Sequence, residues 1–265
     1  MKKVTTRSDP RREPVHIEAI RGYFGDPRTV DHYVRAVANI GLWNTERAVF
    51  EERIERQSRV LDLGCGAGRI AIGLWEMGYR NVAGADLSEE MIAESRAIAQ
   101  VLGVEIPFLV EDATNLSFED QAFDAIVFGF NGLMQIPGWE SRRQALKEIW
   151  RVLAPEGAFI FTTLDREDSL YSVVFGDQDN FEHDIARNSS LIEEGDRLFQ
   201  TEHGTTFMHV PTRPKVQEEL QSAGFDVVDC RMRREIGRES ERVFEFSEDC
   251  RFWVTKKPTS KNAGS

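Results

Sequence analysis

A chain of 265 residues, 41% apolar and with a formal net charge of −12, can bury one sizeable core. It is too acidic for a main role on nucleic-acid phosphate, an affinity that rests on Lys and Arg. No apolar run approaches the roughly 20 residues that cross a bilayer, and Met1-Lys2-Lys3-Val4 leads into polar sequence, so a cytoplasmic protein off the membrane is expected.

In chain order, residues 1–12 are charged and read as a disordered tail. Residues 13–57 read as helical: one helix around Glu13–Tyr23, one around Thr29–Ile40, and one from Asn44 to about Arg56 with Asn44 as N-cap. From 58 to 163 strand and helix signals alternate, the pattern of a parallel sheet covered on both faces. The strands are Val60–Leu63, Asn81–Asp86, Ile106–Val110, Phe123–Phe128 and Ala158–Thr163, and Pro107 suits an edge position. Ser88 caps the helix after the second strand. Leu146, Ile149, Trp150 and Leu153 mark a helix that Pro155-Glu156-Gly157 ends. The alternation stops over 164–211, an inserted cap whose second half reads as a hairpin, Arg197–Glu202 against Thr205–Val210. Residues 212–257 supply a helix and two last strands, and 258–265 a tail. Arg231, Arg233, Arg234 and Arg238, broken by glutamates, read as a solvated mixed face.

The organising stretch is Asp62-Leu63-Gly64-Cys65-Gly66-Ala67-Gly68, where an apolar strand breaks into alternate glycines before a helix. Backbone without side chains there lets a ligand lie against the turn. A dinucleotide fingerprint would place the third glycine at 69, which is Arg69, and Asp62 suits a ligand ammonium better than a pyrophosphate. Asp86, ending the second strand, can accept hydrogen bonds from two ribose hydroxyls. The three cysteines, Cys65, Cys230 and Cys250, read as turn or core residues of a reducing compartment, and no C-x-x-C or His-rich run points to a metal.

The run D-L-G-C-G-A-G resembles the first motif of class I S-adenosylmethionine (SAM) dependent methyltransferases. That resemblance implies a Rossmann-like α/β fold with a seven-stranded, mostly parallel sheet, an N-terminal helical lid, an inserted cap after strand 5, and SAM as cofactor without a metal. It further implies a cofactor site at Asp62, Gly64, Cys65, Gly66 and Gly68, at Asp86 with Leu87 for the ribose, and at Asp112 with Ala113 for adenine. Phe128, Phe130, Asn131 and Tyr33 would stand beside the sulfonium and acceptor, a cation drawn to π faces and carbonyl oxygens. The Asn-or-Asp-Pro-Pro-aromatic signature of amine and amide methylation and the Pro-Cys nucleophile of cytosine-C5 enzymes are missing. The expected activity is methyl transfer to an O or N atom of a small molecule, with a homodimer as the expected assembly. His203, His209 and Asp165 are candidate bases. A SAM-binding protein without turnover and an NAD-linked oxidoreductase stay open as alternatives.

Overall fold

The computed structural model describes residues 14–168, 188 and 190–259. The expected tail at 1–12, residues 169–187 and 189 of the expected insertion, and residues 260–265 lie outside them.

The first strand, β1 (Val60–Leu63), is buried throughout and lies at the middle of a seven-stranded sheet. Beside it run β2 (Val82–Asp86) and β3 (Phe108–Val110) on one side. On the other come β4 (Phe123–Phe128), β5 (Leu153–Thr163), β9 (Arg251–Lys256) and β8 (Asp226–Met232). The order is β3-β2-β1-β4-β5-β9-β8, with β1 to β5 parallel and β9 antiparallel to both its neighbours. After β3 the chain returns across β1 to build the other half, so a crevice opens at the carboxyl ends of β1 and β4, where α/β sheets take ligands.

Successive side chains in a strand point to opposite faces, and the sequence supplies apolar residues to both. Val127, Ile160, Phe252 and Val254 pack on one face with α3 (Asn44–Arg53), α4 (Arg69–Glu76) and α5 (Glu89–Leu102). Ile126, Phe128, Phe159, Phe161 and Trp253 pack on the other with α6 (Trp139–Val152) and α7 (Arg213–Ser222). Phe159 stacks on Phe161 and Phe161 on Trp253, an aromatic column across β5 and β9.

Two further helices, α1 (Ile17–Gly25) and α2 (Pro27–Asn39), precede α3. The hairpin of β6 (Asp196–Thr201) and β7 (Gly204–His209) packs behind α1 through Ile20, Leu191 and Phe207. Two short helices, α8 (Arg233–Ile236) and α9 (Glu241–Phe246), lie between β8 and β9.

Several local expectations change. Trp43, not Asn44, is the N-cap of α3: the Glu46 carboxylate accepts from the Trp43 N–H at 2.9 Å, while the Asn44 side chain donates to the Arg238 carbonyl. Helix α6 ends at Val152, and β5 begins at once with Leu153, so Pro155-Glu156-Gly157 lie inside the strand. Glu156 takes φ +62° there, and its N–H donates to the Lys257 carbonyl. Arg233 is not on a solvated face: it is buried over the rings of Trp43 and Phe244. Cys65, Cys230 and Cys250 are free thiols. Among the described residues no helix is long and apolar enough to cross a membrane.

Candidate active site

At the carboxyl end of β1 the chain must turn sharply into α4, and Gly64 and Gly66 make the turn at φ +67° and +53°. They differ in surroundings. A Cβ on Gly64 would meet the Phe128 ring at 2.5 Å, whereas one on Gly66 would have nothing nearer than the Met91 sulfur at 4.0 Å. Gly64 thus closes the packing under the turn, and Gly66 leaves open floor above it. A cavity of about 1100 Å³, counting its mouth, lies over that floor.

Four carboxylate residues border the cavity, Asp62, Asp86 and Asp112 at the ends of β1, β2 and β3 with Glu111 beside Asp112. Asp62 is buried; its Oδ2 accepts from the Ala71 N–H at 2.9 Å, and its Oδ1 has no hydrogen-bond partner. Burial pushes its pKa up to about 8, against the opposing pull of the Ala71 N–H and Arg69. An orphaned carboxylate oxygen beside a cavity is the acceptor that an ammonium group completes. Asp86 ties the turn together: Oδ2 accepts from the Gly66 N–H at 2.8 Å and Oδ1 from the Ser88 N–H at 2.9 Å. Its lone pairs are not exhausted by these bonds, and burial raises its pKa. Asp112 is held by Thr114, whose N–H and hydroxyl both donate to its Oδ1. Leu87, Ser88, Met91 and Ala113 fill the wall between Asp86 and Asp112.

Apolar side chains share the cavity wall with these acids. Phe24, Tyr33, Phe128, Phe130, Ile136 and Phe246 are among them. Tyr33 and Phe246 meet the Phe130 ring at 5.9 and 5.0 Å. Phe130 and Asn131 follow β4 at φ +50° and +60°, two successive left-handed residues without a glycine. The pair is stabilised by the Asn131 N–H, which donates to Thr162 Oγ1 at 2.8 Å. Such strain directs Phe130 into the cavity at the point where β4 ends.

The expected site residues therefore divide. Asp62, Gly64, Cys65, Gly66, Asp86, Leu87, Asp112, Ala113, Phe128, Phe130 and Tyr33 all line the cavity. Gly68 lies beneath it, against Phe108 and Ser95, and Asn131 is buried behind Phe130. Burial pushes the Cys65 thiol well above its ordinary value, which makes it an inert part of the floor.

The three candidate bases stand elsewhere. Asp165 is buried against Arg251, whose Nε and Nη2 donate to it at 2.9 and 2.6 Å. His209 is buried, with Nδ1 2.9 Å from Asp196 Oδ1. His203 lies at the hairpin tip beside His32. None of the three lines the cavity.

The arrangement also uses residues that the sequence reading passed over. Helices α1 and α2 line the cavity with Ile17, Ile20, Arg21, Phe24 and Tyr33, whereas α3 covers the sheet with Val49 and Phe50. Arg69 donates to both carboxylate oxygens of Glu46 at 2.6 Å and to the Gly41 carbonyl at 2.8 Å, with its guanidinium carbon 5.0 Å from the Trp43 ring centre. Phe207 and His209 stand two apart in the expected hairpin strand and so share a face; in the structure that face is buried, which places His209 in a core.

Residues 60–157 match the family described as "Methyltransferase domain". Over 103 residues the chain is 41% identical to the demethylmenaquinone methyltransferase of Thermus thermophilus, a match covering 38% of this chain and 45% of that relative. The chain therefore spans less than half of that relative's length. A SAM-dependent methyltransferase from Methanosarcina mazei superposes with a TM-score of 0.67 at 24% identity, over 83% of this chain and all of that one. The 1,6-didemethyltoxoflavin-N1-methyltransferase of Burkholderia thailandensis, solved with its substrate and S-adenosylhomocysteine, gives 0.60 at 20% identity over 95% and 97% of the two chains. Residues 60–157 thus match a methyltransferase domain, and the sheet around them has the fold of the class I SAM-dependent methyltransferases.

Proposed function

We propose that the protein moves the methyl group of SAM to an O or N atom of a flat, largely apolar small molecule by in-line displacement. One observation carries the reading: one cavity is lined both by acids, Asp62, Asp86 and Asp112, and by aromatic rings, Phe24, Tyr33, Phe130 and Phe246. The acids suit an amino-acid ammonium, a ribose and an adenine amino group in turn. The rings offer π faces to the sulfonium and stacking surface to an acceptor ring.

The Asp62 carboxylate would hold the ammonium, Asp86 the ribose hydroxyls, and Asp112 with Ala113 the adenine. SAM supplies a methyl carbon already activated by positive sulfur. The chain's own task is alignment and exclusion of water by the roof of α1 and α2. No histidine of the described residues lines the cavity, so an acceptor that is already nucleophilic, or that ionises readily, fits it best. The names of the Thermus and Burkholderia relatives, a demethylmenaquinone and a didemethyltoxoflavin methyltransferase, support a small-molecule acceptor. The proposed location is cytoplasmic.

Incubation with SAM carrying a labelled methyl group and a panel of phenols, quinols and N-heterocycles tests the proposal. Labelled product is expected from ring acceptors. Micromolar SAM binding with no transfer to any acceptor, or in a cell metabolite extract, would favour a binding protein without turnover.

A further inference from the structure

The fold brings together His32 on α2 and Glu202 and His203 at the tip of the β6–β7 hairpin. One ligand atom from each lies within 4.8 Å of the other two. His203 Nε2 is buried without a hydrogen-bond partner, and a Glu202 carboxylate oxygen stands 3.3 Å from it. The His32 ring stacks on Phe246 at 5.3 Å and meets the His203 ring, tilted, at 5.2 Å. Nearby cations are already paired: Arg35 with Asp31 at 2.8 Å, and Arg28 with Asp26 at 3.0 Å.

A second cluster, Glu193, Asp196 and His209, provides the contrast. There Arg142 donates to both Glu193 oxygens, and Asp196 accepts from two backbone N–H groups besides meeting His209. Its acceptors are occupied and a guanidinium fills the place a metal would need. The outer cluster has the opposite character: two imidazoles and a carboxylate, with an orphaned ring nitrogen among them.

We infer that His32, Glu202 and His203 bind a divalent transition cation of the Zn²⁺ class, which pins the hairpin tip to α2. Imidazole nitrogen and carboxylate oxygen are the donors such an ion takes, and water completes a tetrahedron. Because His32 stacks on Phe246 and adjoins Tyr33, both in the cavity wall, the bound ion would hold the roof closed. The ion takes no part in methyl transfer.

Titration of the metal-stripped full chain with ZnCl₂ by calorimetry and thermal melting tests this. One equivalent is expected to bind with micromolar or tighter Kd and to raise Tm. His32→Ala, His203→Ala and Glu202→Gln should each weaken binding at least tenfold, with S-adenosylhomocysteine affinity within twofold for Glu202→Gln. The Glu202 side chain is 80% exposed, so its variant reports on binding and not on folding. Substitution by Co²⁺ should give the intense visible bands of four-coordinate cobalt. No binding by the wild type, or binding as tight as the wild type's by both Glu202→Gln and the His32→Ala/His203→Ala double variant, overturns the inference. Failure to bind S-adenosylhomocysteine would count against the methyltransferase reading and leave this result to stand or fall by itself.

Discussion

The Arg69 guanidinium and the Glu46 carboxylate face each other in two hydrogen bonds of 2.6 Å, both groups nearly inaccessible to water. Arg69 is the first residue of α4, just past the glycine turn, and Glu46 belongs to the first turn of α3. The pair therefore fixes the N-terminal helices against the ligand floor, and the Trp43 ring lies between Arg69 and Arg233, 5.0 Å from each guanidinium. Removing one partner strands a buried charge, which typically costs about 3–5 kcal/mol. Glu46→Gln should lower stability by that order in urea melts, and Glu46→Gln with Arg69→Met by less. Equal losses in the single and double variants would show that the two groups are not coupled.

The glycine turn separates folding from binding. Gly64→Ala forces a methyl into Phe128 and a left-handed backbone, and should unfold or severely destabilise the protein. Gly66→Ala has room and should cost only about 1–2 kcal/mol for its backbone. Its methyl rises from the ligand floor, however, and S-adenosylhomocysteine affinity should fall at least tenfold. The check is a thermal melt beside a calorimetric titration, and the opposite ranking would contradict the geometry.

Asp62 makes ligand binding and stability depend on pH. With its pKa raised from 3.8 to about 8 by burial, the folded protein keeps a proton at neutral pH that the unfolded chain has lost. Stability from this group therefore falls as pH rises from about 4 to about 8. Asp62→Asn should gain in Tm relative to the wild type across that window. A ligand ammonium favours the carboxylate, so binding at pH 7 should release a proton and tighten toward pH 8. Calorimetry in buffers of different ionisation enthalpy reads the proton directly; proton uptake would contradict the assignment.

His209 and Asp196 form a buried pair at the base of the hairpin. His209→Gln should lower Tm while leaving the S-adenosylhomocysteine Kd and the methyl-transfer rate, measured well below Tm, within about twofold. A large loss of rate with unchanged Tm would return His209 to catalysis.

Much of this was legible in the sequence because it depends on local pattern. Alternating strand and helix signals, the glycine turn and the acids at strand ends gave five parallel strands and the acids that line the cavity. The antiparallel end of the sheet followed only from the family resemblance. What could not be read depends on pairs brought together by the fold. Charge spacing around Arg233 suggests a wet surface, and nothing local to it reveals that Trp43 takes its guanidinium. Arg69 served only to argue against a dinucleotide until Glu46 appeared opposite it. His32 and His203 lie on separate elements, so their meeting is a tertiary fact. Asp165 looked free past the fifth strand until the antiparallel β9 brought Arg251 to it.

The central claim is that the floor beneath Asp62, Asp86 and Asp112 holds a zwitterionic nucleoside. Calorimetric titration with S-adenosylhomocysteine and, in parallel, NAD tests it most directly. The account predicts one equivalent of S-adenosylhomocysteine at micromolar Kd, abolished by Asp86→Ala, and no heat from NAD. Binding of NAD alone would contradict it.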